Sequence, residues 1–316
     1  MAGRLVTRAQ SRVPARIARL AAAAIPADEE PFQIGLVGPG GSGSTEVLAA
    51  IADRLGDHVD TVVRVVGRRL EQEHPFGALS DLVEGEDSPD TSAAERRWRD
   101  LLLARLPKGD AVLLVDEAQW LDPPSLRVLV GVAERAADRQ VTVVAAHRPC
   151  AGDPQLAALD AALSRQQPLI WLGPLDEADV AERAALVLGT TVDAAMVETV
   201  HEQTAGVQGL VDHMVLAGVI PAQDSSPPGV GASSAAALPA AMIEAVRAEV
   251  DQLPEATRTV LAALSAGAEL DDELLGSVTE LAAHELGDAV EQLRAAGLVV
   301  ADSDDVVPVV AAAVHE

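Results

Sequence analysis

Short apolar segments alternate with longer amphipathic segments through the first half of the chain. Five apolar runs predict buried strands, namely Phe32–Gly38, Val62–Val66, Ala111–Val115, Val141–Ala146 and Leu169–Leu172. Between them apolar residues recur at helical spacing, as in Thr45–Leu55 and in the segment that Pro123 and Pro124 open. Because strands that are apolar throughout need cover on both faces, this pattern predicts an α/β fold with a parallel sheet between helices.

The alternation ends near Leu172, and the second half of the chain has a different pattern. Helical spacing continues in Glu177–Leu188, Ala194–Gln203, Leu210–Leu216, Glu255–Ala266, Glu273–Val278 and His284–Ala296. Two short apolar runs, Leu298–Ala301 and Val306–Val309, flank the polar turn DSDD and predict a β-hairpin. Three helices followed by a hairpin are typical of a winged-helix domain. Pro221–Pro239 is low in charge and rich in Pro, Gly, Ser and Ala, as linkers are.

These patterns divide the chain into five parts. We expect a basic leader at 1–30, an α/β domain at 31–173, a helical lid at 174–220, a linker at 221–239 and an α+β winged-helix domain at 240–316. The leader carries arginines at helical spacing, Arg4, Arg8, Arg12, Arg16 and Arg19, although Pro14 interrupts the pattern. It is either a solvated helix or disordered leader, or an arm that binds a partner.

The charge narrows the range of partners. The net charge is −26 and the pI is about 4.5, whereas proteins that grip nucleic acid need a basic face to neutralise phosphates. From Leu238 onward the chain has sixteen Asp and Glu against three arginines, so we expect no direct contact of this region with nucleic acid. Cys150 is the single cysteine, and no apolar run approaches the length of a membrane span. We expect a cytoplasmic protein without a membrane partner.

The turn after the first predicted strand is rich in glycine. Gly38, Gly40, Gly41 and Gly43 allow the backbone to curl so that successive N–H groups face an anion at a helix N-terminus. The segment GPGGSGST fits the phosphate-binding pattern G-x-x-x-x-G-K-[ST] except that Ser44 stands in the lysine position. Thr45 keeps the hydroxyl that would hold Mg²⁺. Lys108, the one lysine of the chain, lies far along the sequence.

The same glycines also fit the dinucleotide-binding pattern G-x-G-x-x-G. That interpretation needs an acidic residue after the second strand, where it would bind the ribose. Gly67, Arg68 and Arg69 follow Val66 instead, and they could at most suit a 2′-phosphate. The dinucleotide fold remains the weaker alternative.

The third predicted strand ends in two acidic residues, Asp116 and Glu117. After a buried strand, an aspartate can hold Mg²⁺ and a following glutamate can polarise the attacking water of a nucleotide hydrolase. Arg148 follows the next strand and could sense a γ-phosphate, although a surface arginine at such a place is equally ordinary. Together with the glycine-rich turn upstream, these residues predict that the α/β domain at 31–173 is a parallel-sheet P-loop NTPase domain.

These motifs together resemble the ATPase region of large bacterial LuxR-type transcriptional regulators, within the signal-transduction ATPases with numerous domains (STAND). The resemblance runs from about Phe32 to the C-terminus. Its motifs are GPGGSGST, His74–Val83 (HPFGALSDLV), Leu113–Leu126 (LLVDEAQWLDPPSL), Ala145–Pro149 (AAHRP), Leu172–Val180 (LGPLDEADV), Leu253–Leu275 and Ala289–Val299 (AVEQLRAAGLV). It implies that ATP or ADP binds between the P-loop domain and the winged helix, and that nucleotide exchange switches closed and open states. The family's DNA-binding helix-turn-helix is not found, so we expect a truncated relative or a piece of a longer regulator.

Three departures from the family pattern concern the nucleotide. Ser44 replaces the lysine, Thr204–Gln208 (TAGVQ) lacks the Asn and Pro of the family's lid turn, and Val307 replaces a histidine of the winged helix. The family arrangement would bring all three to one pocket. The missing lysine alone removes several kcal/mol of electrostatic stabilisation at the transferring phosphate. We therefore expect binding of ATP or ADP with Mg²⁺ to be weak or absent, with Glu117 catalytic only if the site is active.

Two functions follow from this sequence. The first is a regulatory or sensory module that signals by domain rearrangement, in contact with other domains of a longer regulator, with a partner protein or with copies of itself. The second is a working ATP/ADP switch in which an arginine, such as Arg148, replaces the lysine. A DNA-binding role is opposed by the charge.

Overall fold

The computed structural model describes most of the chain. The described residues are 14–26, 30–56, 59–80, 82, 91–109, 111–149, 153–216, 243, 246–247, 249–251, 253–266, 272–302 and 305–308. The linker predicted at 221–239, and Arg4, Arg8 and Arg12 of the leader, lie outside them.

Five parallel strands form the central sheet, which confirms the predicted α/β fold. They are β1 (Gln33–Val37), β2 (Thr61–Val66), β3 (Ala111–Asp116), β4 (Thr142–His147) and β5 (Ile170–Trp171), in the order β2-β3-β4-β1-β5. Strand β1 pairs with β4 and β5. Since β1 and β2 are neighbours in a dinucleotide-binding sheet, this order excludes that alternative.

Helices cover both faces of the sheet. They are α1 (Ala15–Ala24), α2 (Ser44–Leu55), α3 (Gly77–Ser80), α4 (Thr91–Arg105), α5 (Pro123–Arg139) and α6 (Pro154–Leu163). Ile17 of α1 and Ile51 of α2 share a buried cluster with Leu114, whereas α4, α5 and α6 pack on the other face. Alternate strand residues therefore point into different cores, and both are apolar because both are covered.

The N-terminal helix α1 begins directly after Pro14, as proline's fixed φ allows at a helix start. Arg16 is buried and donates to the carbonyl oxygen of Gly173, and Arg19 pairs with Asp179 at 3.0 Å. This part of the leader is packed against the start of the lid.

The second half of the described chain is helical and ends in a hairpin. It comprises α7 (Glu177–Leu188), α8 (Ala194–Thr204), α9 (Gln208–Leu216), α10 (Glu255–Ser265), α11 (Asp272–Thr279), α12 (Ala283–Ala296), β6 (Val299–Asp302) and β7 (Asp305–Pro308), the last two antiparallel. Val211 and Met214 of α9 share one buried cluster with Val260 of α10 and Leu293 of α12. Helices on both sides of the predicted linker thus bury their apolar faces against each other.

No helix among the described residues is long and apolar enough to cross a membrane.

Candidate nucleotide loop and the groups that fill it

The glycine-rich turn lies where β1 runs into α2, at the carboxyl edge of the sheet. Gly41 and Gly43 have φ of 74° and 88°, which side chains disfavour, so the curled path depends on glycine. The Gly38 N–H donates to the His147 carbonyl oxygen at 3.2 Å, which fixes the start of the turn to the end of β4. The predicted phosphate loop therefore has the curl that an anion-binding turn needs.

The predicted magnesium ligands lie side by side. The Thr45 hydroxyl donates to Asp116 Oδ2 at 2.8 Å, and Asp116 Oδ1 accepts the Glu117 N–H at 2.9 Å. A hydroxyl and a carboxylate are the oxygen ligands that Mg²⁺ takes beside nucleotide phosphates. Thr45 and Asp116 therefore fit a magnesium ion that a phosphate would also bind. Among the described residues, there is no cluster of three or more His, Cys, Asp or Glu side chains that could hold a metal ion by itself.

Glu117 is held by two neighbours at the end of β3. Its backbone is left-handed, with φ of 51°, and its carboxylate accepts a hydrogen bond from the Gln119 amide. The side-chain Nε of Arg148 lies 3.7 Å from Glu117 Oε2, and the backbone N–H of Arg148 donates to Gln119 Oε1 at 3.0 Å. Gln119 was not predicted from the sequence as a site residue, and its side chain forms hydrogen bonds with both Glu117 and Arg148.

Arg148 lies beside the loop, with a partner from the C-terminal half of the chain. Its Nη1 lies 2.9 Å from Glu249 Oε2 and its Nη2 lies 3.4 Å from Glu249 Oε1. A Cβ atom placed on Gly40 would lie 2.9 Å from Arg148 Nη1. The guanidinium thus lies over the loop, and its two terminal nitrogens are paired with the carboxylate of Glu249.

The end of α12 rests on the same loop. The Gly40 N–H donates to the Ala295 carbonyl oxygen at 2.9 Å. Gly297 caps the C-terminus of α12 with a φ of 73°, and a Cβ atom placed on it would lie 2.8 Å from the Gly40 carbonyl oxygen. The last carbonyls of a helix carry partial negative charge and lack partners within the helix. Ala295 therefore presents to Gly40 the kind of oxygen that a phosphate would present.

The lid covers the loop from another side. The Gly209 N–H donates to the Gly41 carbonyl oxygen at 2.9 Å. A Cβ on Gly43 would lie 2.6 Å from Gln208 Oε1, so this side chain fills the space above the loop. The altered lid turn therefore contacts the loop at Gly41 and Gly43, the latter next to Ser44. Val307 lies in β7 opposite Val300.

Little space remains inside the loop. A cavity of about 10 Å³ lies among Gly38, Gly40, Ser44, Glu117 and Arg148. A single buried water needs about 10–15 Å³, and a phosphate group is larger than a water. This cavity by itself is therefore too small for a phosphate group.

A buried histidine braces the strand next to the loop. His147 Nε2 lies 2.7 Å from Asp160 Oδ1, and Nδ1 lies 2.8 Å from the Arg148 carbonyl oxygen. Both partners are acceptors, so this geometry suits an imidazole that donates from both ring nitrogens, which is its protonated form. Burial opposes that charge, but the hydrogen bond and the charge of Asp160 outweigh it and raise the pKa of His147 above its ordinary value.

We expect Asp160→Asn to remove a pH dependence of the stability. A histidine whose pKa is raised on folding stabilises the protein fully below the unfolded pKa of about 6.5, and this contribution is lost as the pH rises through the folded pKa. Urea unfolding between mildly acidic and alkaline pH should show that decline in the unmodified protein. Asp138→Asn, an exposed site on α5, is the matched control. An unchanged pH profile in Asp160→Asn would contradict the assignment.

Comparison with known proteins supports the fold. No family model and no curated protein matches the sequence. Among solved structures, a Walker-type ATPase of Pyrococcus abyssi has a TM-score of 0.61 and 14% identity, covering 95% of each chain. Orc1 of Aeropyrum pernix, solved in complex with DNA, has a TM-score of 0.50 and 17% identity over 98% of this chain and 94% of its own. At these identities the likeness shows the fold of P-loop ATPases along nearly the whole chain.

Proposed function

We propose that this chain is a regulatory module of the STAND type, as in LuxR-type transcriptional regulators, whose nucleotide site is closed by the protein itself. It signals by moving the P-loop domain, the lid and the terminal helices relative to one another. ATP and ADP with Mg²⁺ bind weakly or not at all, and hydrolysis is inefficient or absent.

The hydrogen bond from Gly40 to Ala295 is the observation that carries this proposal. The 2.9 Å bond uses a loop amide that a P-loop would offer to a phosphate. Because the acceptor belongs to α12, closure of the terminal helices and phosphate binding compete for the same N–H group. A loop bound in this way holds the domains together without a nucleotide.

The charges around the loop support the same conclusion. Ser44 supplies no positive charge where a lysine would stand, and Arg148 is shared between Glu117 and Glu249. A phosphate entering the loop would meet these two carboxylates, and Arg148 is already paired with them. The electrostatic stabilisation that P-loops give to phosphates is therefore reduced for two reasons, the missing lysine charge and the pairing of Arg148 with carboxylates.

The signal would travel through the terminal helices and the hairpin, which we interpret as a winged helix that packs against the loop. Its acidic composition suits contacts with proteins better than contacts with phosphate backbones. Suitable partners are the other domains of a longer regulator, a separate protein or a second copy of this chain.

Titration calorimetry with ATP and with ADP in magnesium tests this proposal. We expect no saturable binding at nucleotide concentrations below about millimolar. The variant Ser44→Lys should not restore tight binding, because the space above the loop stays filled by Gln208 and Ala295. Micromolar binding by the unmodified protein would contradict the proposal.

One observation favours the second candidate, an ATP switch that uses an arginine. The Thr45–Asp116 pair is intact, and Arg148 sits over Gly40 within reach of a bound phosphate. In that case the unmodified protein should bind ATP tightly and hydrolyse it, Glu117→Gln should abolish turnover while binding persists, and Arg148→Gln should weaken binding.

A further inference from the structure

A further cavity lies next to the phosphate loop and outside it. It is open to solvent, has a volume of about 580 Å³, and lies at the carboxyl ends of β1, β4 and β5. In open α/β sheets this edge is where ligands bind. The volume is that of a small-molecule site.

Most of the cavity wall is apolar, and one wall residue is an exposed tryptophan. Leu156 and Ala157 of α6 and Leu169 before β5 contribute aliphatic surface. Trp171 in β5 is 59% exposed, which is costly for a large aromatic side chain in water. A tryptophan ring attracts cations through its π face as well as apolar groups.

The charged groups of the wall are mainly acidic. Asp153, Asp160 and Glu291 line the cavity. Among the described lining residues the one basic side chain is His147, whose ring nitrogens contact Asp160 and a backbone carbonyl. Asp153 caps α6 through Oδ1, which accepts the N–H groups of Gln155 and Leu156. The lining therefore carries net negative charge, and a ligand that fits it is positively charged or neutral.

Two of these carboxylates come from opposite sides of the interface that closes the loop. Asp153 precedes α6 of the P-loop domain, whereas Glu291 belongs to α12, and both also line a second cavity of about 360 Å³ beside Arg148 and Trp120. Glu291 Oε1 accepts from Arg294 Nη1 at 2.8 Å on its own helix. No ion pair joins Asp153 or Glu291 to a cation across the interface among the described residues. Like charges that share a cleft repel each other, and a cation between them removes that repulsion.

We propose that this cavity binds a small organic cation, an amine or guanidinium that carries an apolar body. The apolar body packs on Trp171 and Leu169, and the cationic group lies between Asp153 and Glu291. Since the two carboxylates belong to the two sides of the closed interface, the ligand favours the closed arrangement over an open one. This regulatory effect rests on the proposed function, whereas the binding itself does not.

Calorimetric titration with three matched probes tests the site. They are 2-phenylethylamine, the uncharged 2-phenylethanol and the anionic 3-phenylpropionate. We expect saturable binding of the amine alone, weakened about tenfold by Glu291→Gln and by Trp171→Ala. Glu202→Gln, at an exposed position of α8, should leave the affinity unchanged.

Three results would overturn the proposal. They are no binding of the amine at millimolar concentrations, equal binding of the amine and the alcohol, and an amine affinity that neither Glu291→Gln nor Trp171→Ala alters. Trp171 and Glu291 are partly exposed, so these variants should fold, which their thermal unfolding can verify. Because no nucleotide is present, failure here is distinct from failure of the nucleotide titration.

Discussion

Replacing Arg183 by methionine is expected to lower the free energy of unfolding by about 3 kcal/mol, at the low end of the cost of breaking a buried ion pair. Arg183 in α7 donates to both carboxylate oxygens of Glu46 in α2, each at 2.7 Å, and to both of Asp212 in α9, each at 2.6 Å. Its side chain is 12% exposed. The hydrogen bond to Asp212, with that to Glu46, outweighs burial and raises the pKa of Arg183 above its ordinary value. Without the guanidinium, two carboxylates would face each other with no cation between them.

Urea unfolding of Arg183→Met measures this loss, and Arg165→Met is the matched control. Arg165 pairs with Glu134 at 3.2 Å, but the two side chains are 54% and 47% exposed. An exposed pair of this kind contributes about 1 kcal/mol or less. Equal effects of the two substitutions would show that Arg183 does not fix the lid to the helix that follows the phosphate loop.

Gly206→Ala is expected to destabilise the protein by about 3 kcal/mol or more, through strain and overlap together. Gly206 joins α8 to α9 with φ of 71°, and a Cβ there would lie 2.2 Å from the Leu175 carbonyl oxygen. The Gly206 carbonyl oxygen also accepts the Leu175 N–H at 2.8 Å. Alanine would therefore displace the backbone that connects the lid turn to the segment before α7.

The control for this prediction is Gly189→Ala. Gly189 has a similar φ of 68°, but nothing lies within 4 Å of its hypothetical Cβ. Its substitution should cost only the left-handed strain, about 1–2 kcal/mol. The difference between the two variants in chemical unfolding measures the overlap with Leu175, and a difference near zero would contradict the close approach.

The regular elements of this fold are predictable from the sequence because their signals are local. Alternating apolar runs fix the strands, and Asp176 and Asp193 cap α7 and α8 where the helical spacing begins. Helix α6 was not predicted, since PQLAALDAAL is apolar on most sides and has little amphipathic character. Strand β5 is shorter than its apolar run, with two residues.

The site was predictable only in part, for a physical reason. Thr45, Asp116, Glu117 and Arg148 are identified by residue type and by their positions after strands, and the structure brings them to one edge of the sheet. The contact from Ala295 to Gly40 has no such signal, because a backbone carbonyl is the same in every residue. Glu249 is one acid among many in this chain, and only the folded arrangement selects it. The roles of these residues toward a nucleotide remain predictions.

The significance of Ser44 depends on these tertiary contacts. A lost lysine in an open loop would only weaken phosphate binding. In the proposed closed state the end of α12 and Gln208 also occupy the place of the phosphate, and Arg148 is paired with Glu249. The loop has the geometry of a phosphate site and, in this arrangement, serves as a contact surface between parts of the chain.

Amide hydrogen exchange at Gly40, followed by NMR with and without ADP and Mg²⁺, tests this account most directly. The account predicts that the Gly40 N–H is protected in the ligand-free protein, because it donates to Ala295 at 2.9 Å, and that millimolar ADP and Mg²⁺ leave its exchange unchanged. An amide that exchanges rapidly in the free protein and becomes protected only when nucleotide is added would contradict it.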